Sequence, residues 1–486
     1  MTEIERGPAR FQWGPASGGA ERSFRGRRSR KRSAVPGAAQ GAAPFKRVWV
    51  ASLAYAVVYF CLGADKYLTY RSGADLGLFT QSISTVFHGF SNTTEGGSHF
   101  KIHFSPILYF CAPLLLWWHS ALALVAVQAA ACALVAPPLF LIARKRIPEN
   151  LAFGVAVVGL LYPPLAGVTF SDFHENGFAP AAVLWLIWAV DARKWSAAIC
   201  FLLVVLSIKE DQSLFIAASS VFALAYFARR KESAGVRFSL GALTLSILTF
   251  AVFFAIVRPL AGAVQAWQPL HFYGLARVDD PSAVAPVWSL SKLAYLFEAM
   301  LPLAFVNLLS PATLLAAAPF AEILLSQRSI VWTMGQHYAG AWIGYLLAAF
   351  AFGVVALYER SPSRAVAFVR ASQCLCALIL LFASPTHWGH YLAPLTAHDA
   401  VLDRVIERMP AGIDVGTQDE IFAHTGFNPH ASLGMGHDPA TVLLDRSFTH
   451  SYWVEKTLPR IRRELRTGKA RVVADWDGVT FYMRKR

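Results

Sequence analysis

The sequence is poor in charged residues. Charged side chains make up 15% of its 486 residues and hydrophobic ones 55%, whereas soluble domains carry about 25% charged residues. Apolar runs recur along most of the chain, each near the roughly 20 residues that a membrane-spanning helix needs. We therefore predict an all-α multi-pass membrane protein, with room for a soluble domain only at the C-terminus.

The sequence also lacks the common signatures of metal, nucleotide and hydrolase sites. Its six cysteines lie in apolar runs, without metal-ligand neighbours and outside loops, which excludes a disulfide framework. There is no G-x-x-x-x-G-K-[ST], no G-x-S-x-G and no H-E-x-x-H. The "DWD" at 475–477 resembles a nucleotide-sugar metal motif, but Gly478 after it favours a hairpin turn.

The positive charge is concentrated at the N-terminus. The net charge is +14, and residues 1–47 hold eleven Lys and Arg against three acids. The segment "RSFRGRRSRKRS" has the composition of a nucleic-acid or anionic-lipid site, but the positive-inside rule accounts for it without either partner. We predict a disordered basic cytoplasmic tail over 1–47 and no nucleic-acid partner.

The remaining basic clusters decide the topology. The run Phe104 to Trp118 is short, holds two prolines and ends in a Trp pair, as interfacial segments do. If it crossed the membrane, four successive basic clusters, within 144–146, 193–194, 229–237 and 360–370, would lie outside. We therefore predict eleven spans in the bacterial cytoplasmic (inner) membrane, with the N-terminus inside and the C-terminus extracytoplasmic. The candidate spans are 48–64, 121–142, 152–170, 178–192, 195–209, 212–228, 237–257, 291–309, 311–325, 338–358 and 366–383.

Three parts follow from this topology: the tail, a transmembrane domain over 48–397 with an outer loop at 65–120, and a small extracytoplasmic α/β domain over 398–486. In the last part we predict a helix at 401–410 and strands at 412–417 and 441–445. An amphipathic helix over 452–468, interrupted by Pro459, and a hairpin over 470–485 follow. All fourteen histidines fall at or beyond the outer ends of the spans, so we expect chemistry on that face.

The segment "YRSGADLGLFTQSISTVFHG" opens the outer loop. Its apolar residues recur at helical spacing, and Gln81, Ser82 and Thr85 form a polar face. We expect an amphipathic helix on the outer leaflet that begins at Asp75. This residue is either a helix N-cap or a functional acid, and the two roles are compatible.

Two clusters follow along the chain. Asp172, His174 and Glu175 lie in a tight turn between spans, either as ligands of a divalent cation (Mg²⁺ or Mn²⁺) or as an ordinary charged turn. Lys209, Glu210 and Asp211 separate two spans with almost no loop. Because ionisable groups are costly in lipid, we expect them to face a water-filled cavity, the alternative being a hydrophilic hairpin tip.

Further candidates are single residues or an aromatic cluster. His103 precedes the interfacial segment and is either functional or merely hydrated. Arg258 ends a span, where it either pairs a phosphate or extends to the interface. "SPTHWGHYLAP" interleaves His387, His390 and Tyr391 with a Trp, which suits a sugar or phosphate headgroup but is also typical of an aromatic belt.

These pieces together resemble the GT-C superfamily of membrane glycosyltransferases. In that fold a catalytic acid begins a juxtamembrane helix in the first outer loop, a second juxtamembrane helix precedes the next span, and a seven-span core follows. "GADLGLFTQSI" and "HFSPILYF" match the two helices. More narrowly, "DLGLFTQ", "HFSPIL", "DFHENGF", "KEDQSLF" and "HWGHYLAP" resemble, in that order, a bacterial family of predicted membrane proteins classed as a domain of unknown function.

The resemblance implies transfer of a sugar from a polyprenyl-phosphate donor to a glycan, lipid or protein acceptor. Asp75 would act as base or orient the acceptor, and Lys209 with Arg258 would hold the phosphate. His103, His174 and Glu175 would line the cavity, and His390 with Tyr391 would guard the donor's route from the bilayer. The neighbours of Asp75 are Ala74 and Leu76, not the second acid of several GT-C members, so a metal requirement stays open. The alternatives are a transporter or flippase of a lipid-linked substrate, and an envelope scaffold.

Overall fold

The computed structural model describes residues 43–264, 266–274, 288–448 and 451–485. The predicted basic tail lies outside these ranges except for its last five residues, which already belong to the first helix. The α-helices are α1 (Ala43–Leu68), α2 (Ala74–Ser84), α3 (Ala112–Trp118), α4 (Leu122–Ala133), α5 (Ala136–Arg144), α6 (Glu149–Leu161), α7 (Pro163–Phe170), α8 (Ala179–Asp191), α9 (Trp195–Leu206), α10 (Glu210–Arg229), α11 (Ser233–Val252), α12 (Arg258–Leu260), α13 (Leu290–Met300), α14 (Ala317–Leu325), α15 (Gly340–Arg360), α16 (Pro362–Phe382), α17 (Trp388–Tyr391), α18 (Ala397–Glu407), α19 (Asp419–Thr425) and α20 (Tyr452–Arg466).

Six helical segments of the described chain are long and apolar enough to cross a membrane, or seven if one bent pair counts as a single span. They are Phe45–Leu68, Leu122–Arg144, Glu210–Arg229, Ser233–Leu260, His337–Arg360 and Pro362–Phe382, with the pair Glu149–Leu161 and Pro163–Phe170 bent by 46°. The run Phe104 to Trp118 is not among them, as predicted. The count of eleven spans stays a prediction.

Prolines and short helices explain why fewer helical segments than the predicted eleven are long enough to span a membrane. Tyr162 lies outside the helical region because Pro163 follows it, and this bends the α6–α7 pair. The predicted span 291–309 is not one helix: α13 ends at Met300, Pro302 follows, and Ala304 adopts a positive φ. Helix α8 has 13 residues, a rise of about 20 Å, which is less than the roughly 30 Å hydrocarbon core.

The two ends of the helical bundle differ in charge. At one end, Arg146 and Lys145 bond to Asp191, and Arg193 bonds to Glu232. These pairs join loops at the same end of the bundle and use basic clusters that the sequence predicts to be cytoplasmic. The candidate residues for chemistry lie at the opposite end of the helices, beyond the C-terminus of α1 and the N-terminus of α10.

Helix α2 lies in the interior of the protein and not on a leaflet surface, which corrects our expectation. Its apolar residues Leu76, Phe79 and Ile83 belong to the main core. The polar face is also buried: Gln81 is 0% exposed, and its amide donates to the carbonyl oxygens of Asn428 and Ala431. Sequence periodicity found the two faces but could not show that the polar face is covered by the C-terminal part of the chain.

The second predicted juxtamembrane segment is short and keeps its aromatics outside. A 3₁₀ turn at Pro106–Phe110 leads into α3, and Tyr109, Phe110 and Trp117 are exposed. Exposed aromatics at a helix end are typical of the membrane interface. This arrangement agrees with an interfacial segment.

The C-terminal part forms a mixed five-stranded sheet with three helices. Its strand order is β4-β3-β5-β7-β6, in which β3 is parallel to β4 and β5, and β7 is antiparallel to β5 and β6. A short hairpin, β1 with β2, lies in the outer loop. The strands are β1 (Ser91–Asn92), β2 (Gly97–Ser98), β3 (Val415–Thr417), β4 (Ala431–Leu433), β5 (Thr441–Asp445), β6 (Ala470–Trp476) and β7 (Val479–Arg484).

Periodicity predicted β3, β5, the β6–β7 hairpin and the helix at 452 but missed two elements. Helix α19 has 7 residues and strand β4 has 3, and such short elements carry no clear periodicity. Helix α20 continues through Pro459, which corrects the predicted interruption. Proline costs about 3 kcal/mol inside a helix, and the buried residues Val454 and Ile461 on either side hold this one against the sheet.

The C-terminal part packs closely on α2. A Cβ at Gly77 would lie 2.7 Å from the backbone oxygen of Phe422 in α19, and one at Gly426 would lie 2.9 Å from the oxygen of Gly77. The rings of Tyr67 and Tyr70 also sandwich His424, with centroids 4.0 and 3.9 Å away. Thus α19 fixes the position of the helix that carries Asp75.

Gly77→Ala tests this packing. We expect a loss of about 1–3 kcal/mol, because the new methyl group meets backbone that cannot turn aside. Gly241→Ala in α11 is the matched control, since nothing lies within 4 Å of its Cβ position. Thermal unfolding in one detergent measures both. Equal melting temperatures for the two variants would contradict the close packing of α19 on α2.

Candidate active site

Two large cavities lie at this end of the bundle and share a wall. The first, here called the Lys66 cavity, has a volume of 720 Å³ and lies between the helices and the C-terminal part. The second, the Lys209 cavity, has a volume of 540 Å³ and lies among the helix ends. Among the described residues, Asp75 and His337 are the two that line both cavities. Asp75, the residue that the resemblance implies as the catalytic acid, therefore lies where the two spaces meet.

Asp75 belongs to the first turn of α2 but does not cap it. The N-cap is Gly73 and Asp75 is the second helical residue, which corrects the capping interpretation. Its side chain is 43% exposed, and Oδ2 lies 3.7 Å from His337 Nδ1. This exposed part faces the two cavities, and the partial removal of the carboxyl from bulk water, together with the nearby acids Asp172, Glu175 and Glu95, raises the pKa of Asp75 to about 7.

Asp172 provides the hydrogen-bond acceptor at the N-terminus of α2 that Asp75 does not provide. Its Oδ2 accepts from the backbone N–H of Gly73 at 2.7 Å, ahead of α2, and its Oδ1 accepts from Lys66 Nζ at 2.8 Å. Lys66 also donates to the Phe170 carbonyl at 2.9 Å. Negative charge is favourable at a helix N-terminus. Asp172 thereby joins α1, α2 and the 171–178 turn beside the catalytic candidate.

The Lys209-Glu210-Asp211 run faces the Lys209 cavity, as expected from the cost of ionisable groups in lipid. Glu210 accepts from the Phe104 backbone N–H at 2.8 Å and pairs with His103 Nδ1 at 2.8 Å. Lys209 Nζ lies 3.0 Å from Asp211 Oδ2. One short segment thus fixes His103 and presents a cation to the cavity.

His174 and Glu175 lie deeper. His174 lines the Lys209 cavity, while Glu175 is 0% exposed and its carboxyl oxygens find no hydrogen-bond partner among the described residues, although Oε2 lies 3.2 Å from His174 Nδ1. Burial raises the pKa of Glu175 and lowers that of His174 well below its usual value. Burial thus favours the uncharged form of both side chains.

A divalent cation does not fit these residues. Within the described ranges, no three His, Cys, Asp or Glu side chains are arranged to hold a metal ion. Asp172 is engaged by Lys66 and Gly73, and Glu175 is buried away from both cavities. The predicted set Asp172, His174 and Glu175 is therefore not a ligand set here, because the turn sends its side chains to different neighbours.

The other candidates divide between the cavities and their surroundings. His387 and Tyr391 line the Lys66 cavity, and Lys66 Nζ lies 5.5 Å from the Tyr391 ring centre. Arg258 donates from Nε to the Lys101 carbonyl at 2.9 Å and does not line either cavity. The side chain of His390 lies outside what the structure describes.

Sequence reasoning missed several cavity residues. Lys66 ends a span and reads as an ordinary interfacial lysine. Glu95 and His99 form a buried ion pair of 2.9 Å that raises the pKa of His99 to about 9 despite its burial. His337 begins the span over His337–Arg360, and Glu322 lies in an apolar helix. Of these residues, Glu322 alone had a usable sequence signal, because an isolated acid within an apolar run indicates a functional site.

The profile of the DUF2079 family of predicted membrane proteins matches residues 67–398, about two thirds of the chain. The chain belongs to the DUF2079 family. This membership agrees with the resemblance, found in the sequence, to a family of predicted membrane proteins. A search of curated proteins finds no match.

Solved structures with a GT-C fold are similar to this DUF2079 chain. ArnT from Cupriavidus metallidurans, bound to undecaprenyl phosphate, has a TM-score of 0.56 at 13% identity, covering 91% of this chain and 98% of that one. The archaeal oligosaccharyltransferase AglB from Archaeoglobus fulgidus, in complex with an inhibitory peptide and a dolichol-phosphate, has a TM-score of 0.40 at 13% identity, covering 83% and 70%. Arabinosyltransferase EmbB from Mycobacterium smegmatis has a TM-score of 0.37 at 15% identity, covering 67% and 32%. The likeness to ArnT shows that this membrane protein has a GT-C fold.

Proposed function

We propose that this protein transfers a sugar from a polyprenyl-phosphate donor to an acceptor hydroxyl, with Asp75 as the base. The observation that carries the proposal is the position of Asp75 at the junction of two cavities at one end of the bundle. A group transfer between two substrates needs two binding spaces and a reacting residue that reaches both. Asp75 and His337 are the side chains that meet this requirement.

The Lys209 cavity suits the donor. It combines the Lys209 cation with apolar side chains from three helices, namely Leu214 of α10, Phe250 of α11 and Leu325 of α14. A polyprenyl-phosphate sugar has the same two parts, an anionic headgroup and a hydrocarbon tail. The fold is that of ArnT, whose structure holds undecaprenyl phosphate.

The Lys66 cavity suits the acceptor. It lies against the C-terminal part, and its polar lining includes Asp172, Tyr391, Glu420 and Ser451. The pKa of Glu420 is raised to about 7 by burial and by Asp419, so its carboxyl can both donate and accept hydrogen bonds. Sugar hydroxyl groups need such mixed partners. A glycan, lipid or protein acceptor remains compatible with this lining.

The chemistry is a single inverting displacement. The acceptor oxygen attacks the anomeric carbon as Asp75 takes its proton, and the carbon–oxygen bond to the phosphate breaks with its electron pair going to the phosphate. Since the pKa of Asp75 is about 7, the carboxylate is available near neutral pH and basic enough to take a proton. Lys209 offsets the charge that grows on the phosphate.

The orientation of the protein in the membrane is part of the same proposal. The basic clusters at the far end of the bundle support a cytoplasmic location for that end. Asp75, both cavities and the C-terminal part then lie outside the cytoplasmic membrane. Nucleotide sugars are not available there, so a lipid-linked donor is required.

Incubation of the purified full-length protein with labelled polyprenyl-phosphate sugars tests the function. A panel of hexose, pentose and aminosugar donors is offered with glycan, lipid and peptide acceptors and with water alone. Protein-dependent release of the lipid phosphate supports the proposal. A donor that crosses sealed proteoliposomes uncleaved, with no cleavage in any mixture, would instead indicate a flippase.

Lys209→Met is expected to weaken donor turnover. Loss of one hydrogen bond to a charged group costs about 1.5–3 kcal/mol, which is roughly a 10- to 150-fold fall in kcat/KM for the donor. Lys194→Met, an exposed lysine at the other end of the bundle, is the control and should match the wild type. An unchanged kcat/KM for Lys209→Met would remove this cation from the donor site.

A further inference from the structure

Another cavity lies within the C-terminal part, separate from the two cavities of the candidate active site. It has a volume of 240 Å³ and lies between α18 and the β6–β7 hairpin, and we call it the hairpin pocket. Drug-sized ligands occupy clefts of about 300–1,000 Å³, so this volume suits a single sugar ring or a unit of similar size. Its lining residues include Val401, Arg404, Val405, Arg408, Trp476 and Phe481.

Helix α18 presents one side to this pocket. Its apolar lining residues Val401 and Val405 are four residues apart, which is the spacing of one helix face, and Arg404 and Arg408 repeat that spacing beside them. Val405 belongs to the apolar core between α18 and the sheet, and Phe481 packs against that core. The apolar side of the pocket is therefore fixed before any ligand binds.

The two arginines of the pocket have no acidic partner. Neither Arg404 nor Arg408 makes a salt bridge or a side-chain hydrogen bond with the described residues, and both are exposed. Like charges four residues apart disfavour a helix. An anion bound between the two guanidinium groups would remove that repulsion.

The acids on either side of Trp476 are bonded to other residues. Asp477, which lines the pocket, places Oδ2 3.1 Å from His398 Nδ1. Asp475 Oδ2 lies 2.5 Å from an Arg446 nitrogen. Neither carboxylate is thus directed at the arginines of α18, which leaves positive charge at the pocket.

These features indicate the chemistry of a ligand. Trp476 is 45% exposed, and an exposed indole ring can pack against the C–H face of a sugar. Guanidinium groups bind a carboxylate or a phosphate through paired hydrogen bonds. A sugar ring that carries an acidic group has both parts, whereas an acidic peptide offers the anion without the flat apolar ring face.

The hairpin pocket adjoins the Lys66 cavity. His398 and Asp399 line the Lys66 cavity, and Asp477, the bonding partner of His398, lines the hairpin pocket. The first turn of α18 thus faces one space and its later turns face the other. A polymer with its reacting unit in the Lys66 cavity would reach the hairpin pocket with a neighbouring unit.

We propose that the hairpin pocket binds an acidic sugar unit, a uronate or a phosphorylated sugar, of the acceptor glycan. Arg404 and Arg408 hold the acid group, and Trp476 packs against the sugar ring. The role in acceptor recognition rests on the proposed function and makes the acceptor an anionic glycan. The binding of the sugar does not rest on it, because binding is measured without turnover.

Saturation-transfer NMR tests the pocket, with the full-length protein in a detergent that has no sugar headgroup. The probes are the methyl glycosides of glucuronic acid, glucose 6-phosphate and glucose, which share a ring and differ in the acid group. We expect the neutral probe to bind at least about 10-fold more weakly than the acidic ones, since it lacks the charged hydrogen bonds. Equal binding of all three, or of none, would contradict the proposal.

Arg404→Gln/Arg408→Gln is expected to weaken binding of the acidic probes by roughly 10- to 150-fold and to leave the neutral probe unchanged. Trp476→Ala should weaken all three probes. Arg462→Gln/Arg466→Gln is the matched control, because these exposed arginines are also four residues apart but lie in α20 and do not line the pocket. Equal weakening in both double variants would indicate a general charge effect and overturn the site.

Two further probes separate the sources of the acid group. Inorganic phosphate and a tetraglutamate peptide carry negative charge without a sugar ring. We expect both to bind more weakly than the acidic glycosides. If either binds as tightly as the acidic glycosides, the pocket does not select a sugar and the proposed ligand class is wrong.

Turnover separates this inference from the proposed function. If the wild type transfers sugar, an acidic glycan acceptor should have a lower KM than its neutral counterpart, and Arg404→Gln/Arg408→Gln should remove that difference with little change in kcat. Selective binding without turnover of any donor would support the pocket and overturn the transferase. Equal KM values for acidic and neutral acceptors in the wild type would overturn the role in acceptor recognition alone.

Discussion

Asp75→Asn is expected to lower sugar transfer by about 10²- to 10⁴-fold, the usual contribution of a positioned general base. Asn has nearly the same shape and cannot accept the proton. The donor should still bind, because Lys209 and the apolar lining of its cavity are unchanged. Single-turnover kinetics with labelled donor, with KM measured separately, checks both parts.

The same variant should keep or gain stability above neutral pH. The pKa of Asp75 is raised from 3.8 to about 7, so its protonated form is favoured by the fold. Its stabilising contribution is full below pH 3.8 and is lost as the pH rises through about 7. At pH 8 the wild type therefore carries a cost that Asp75→Asn does not.

Asp65→Asn is the control for this prediction. Asp65 lies in α1 outside both cavities, and its loss should leave transfer unchanged. An Asp75→Asn protein that melts well below the wild type at pH 8 would indicate a structural role. Equal turnover in wild type and Asp75→Asn would remove Asp75 from the mechanism.

Asp172→Asn is expected to cost about 3–5 kcal/mol of stability, since it leaves a buried charge unpaired. The side chains of Lys66 and Asp172 are 8% and 13% exposed. Asn can still accept from the Gly73 N–H, so the variant isolates the charge. Chemical unfolding of detergent-solubilised protein measures the loss.

The double variant Lys66→Met/Asp172→Leu is the matched comparison. Replacing both partners of a buried ion pair by apolar side chains is often neutral or stabilising. We expect it to recover most of the stability lost in Asp172→Asn. If Asp172→Asn alone is as stable as the wild type, water reaches Lys66 and the pair is not a structural link between α1 and α2.

Much of the fold was predictable from sequence because a membrane imposes simple rules. Low charge and recurrent apolar runs predicted a membrane protein, and the "DLGLFTQ" and "HFSPIL" motifs led to the correct family and to the GT-C fold. The number of spans was not predictable in the same way. Pro163 and Pro302 interrupt runs that composition alone treats as continuous, and only packing decides whether the pieces form one helix.

Some residues of the candidate site were likewise predictable from the sequence, and others were not. Asp75, His103, His174 and Lys209 stood out because ionisable groups are rare next to spans, and the structure brings all four to the Lys209 cavity. His337 and Lys66 gave no signal, since a single histidine or lysine at a span end is common. Their part in the site depends on contacts across more than a hundred residues of sequence, such as Lys66 with Asp172.

The shared wall between the cavities has a consequence for side reactions. Water is the smallest nucleophile that can reach an anomeric carbon, and it outnumbers any acceptor. On the side of the Lys66 cavity, its path to a donor in the Lys209 cavity passes the gap between Asp75 and His337. In the proposed reaction, an acceptor seated in the Lys66 cavity would fill that path itself, so a bound acceptor would both react with the donor and shield it from hydrolysis.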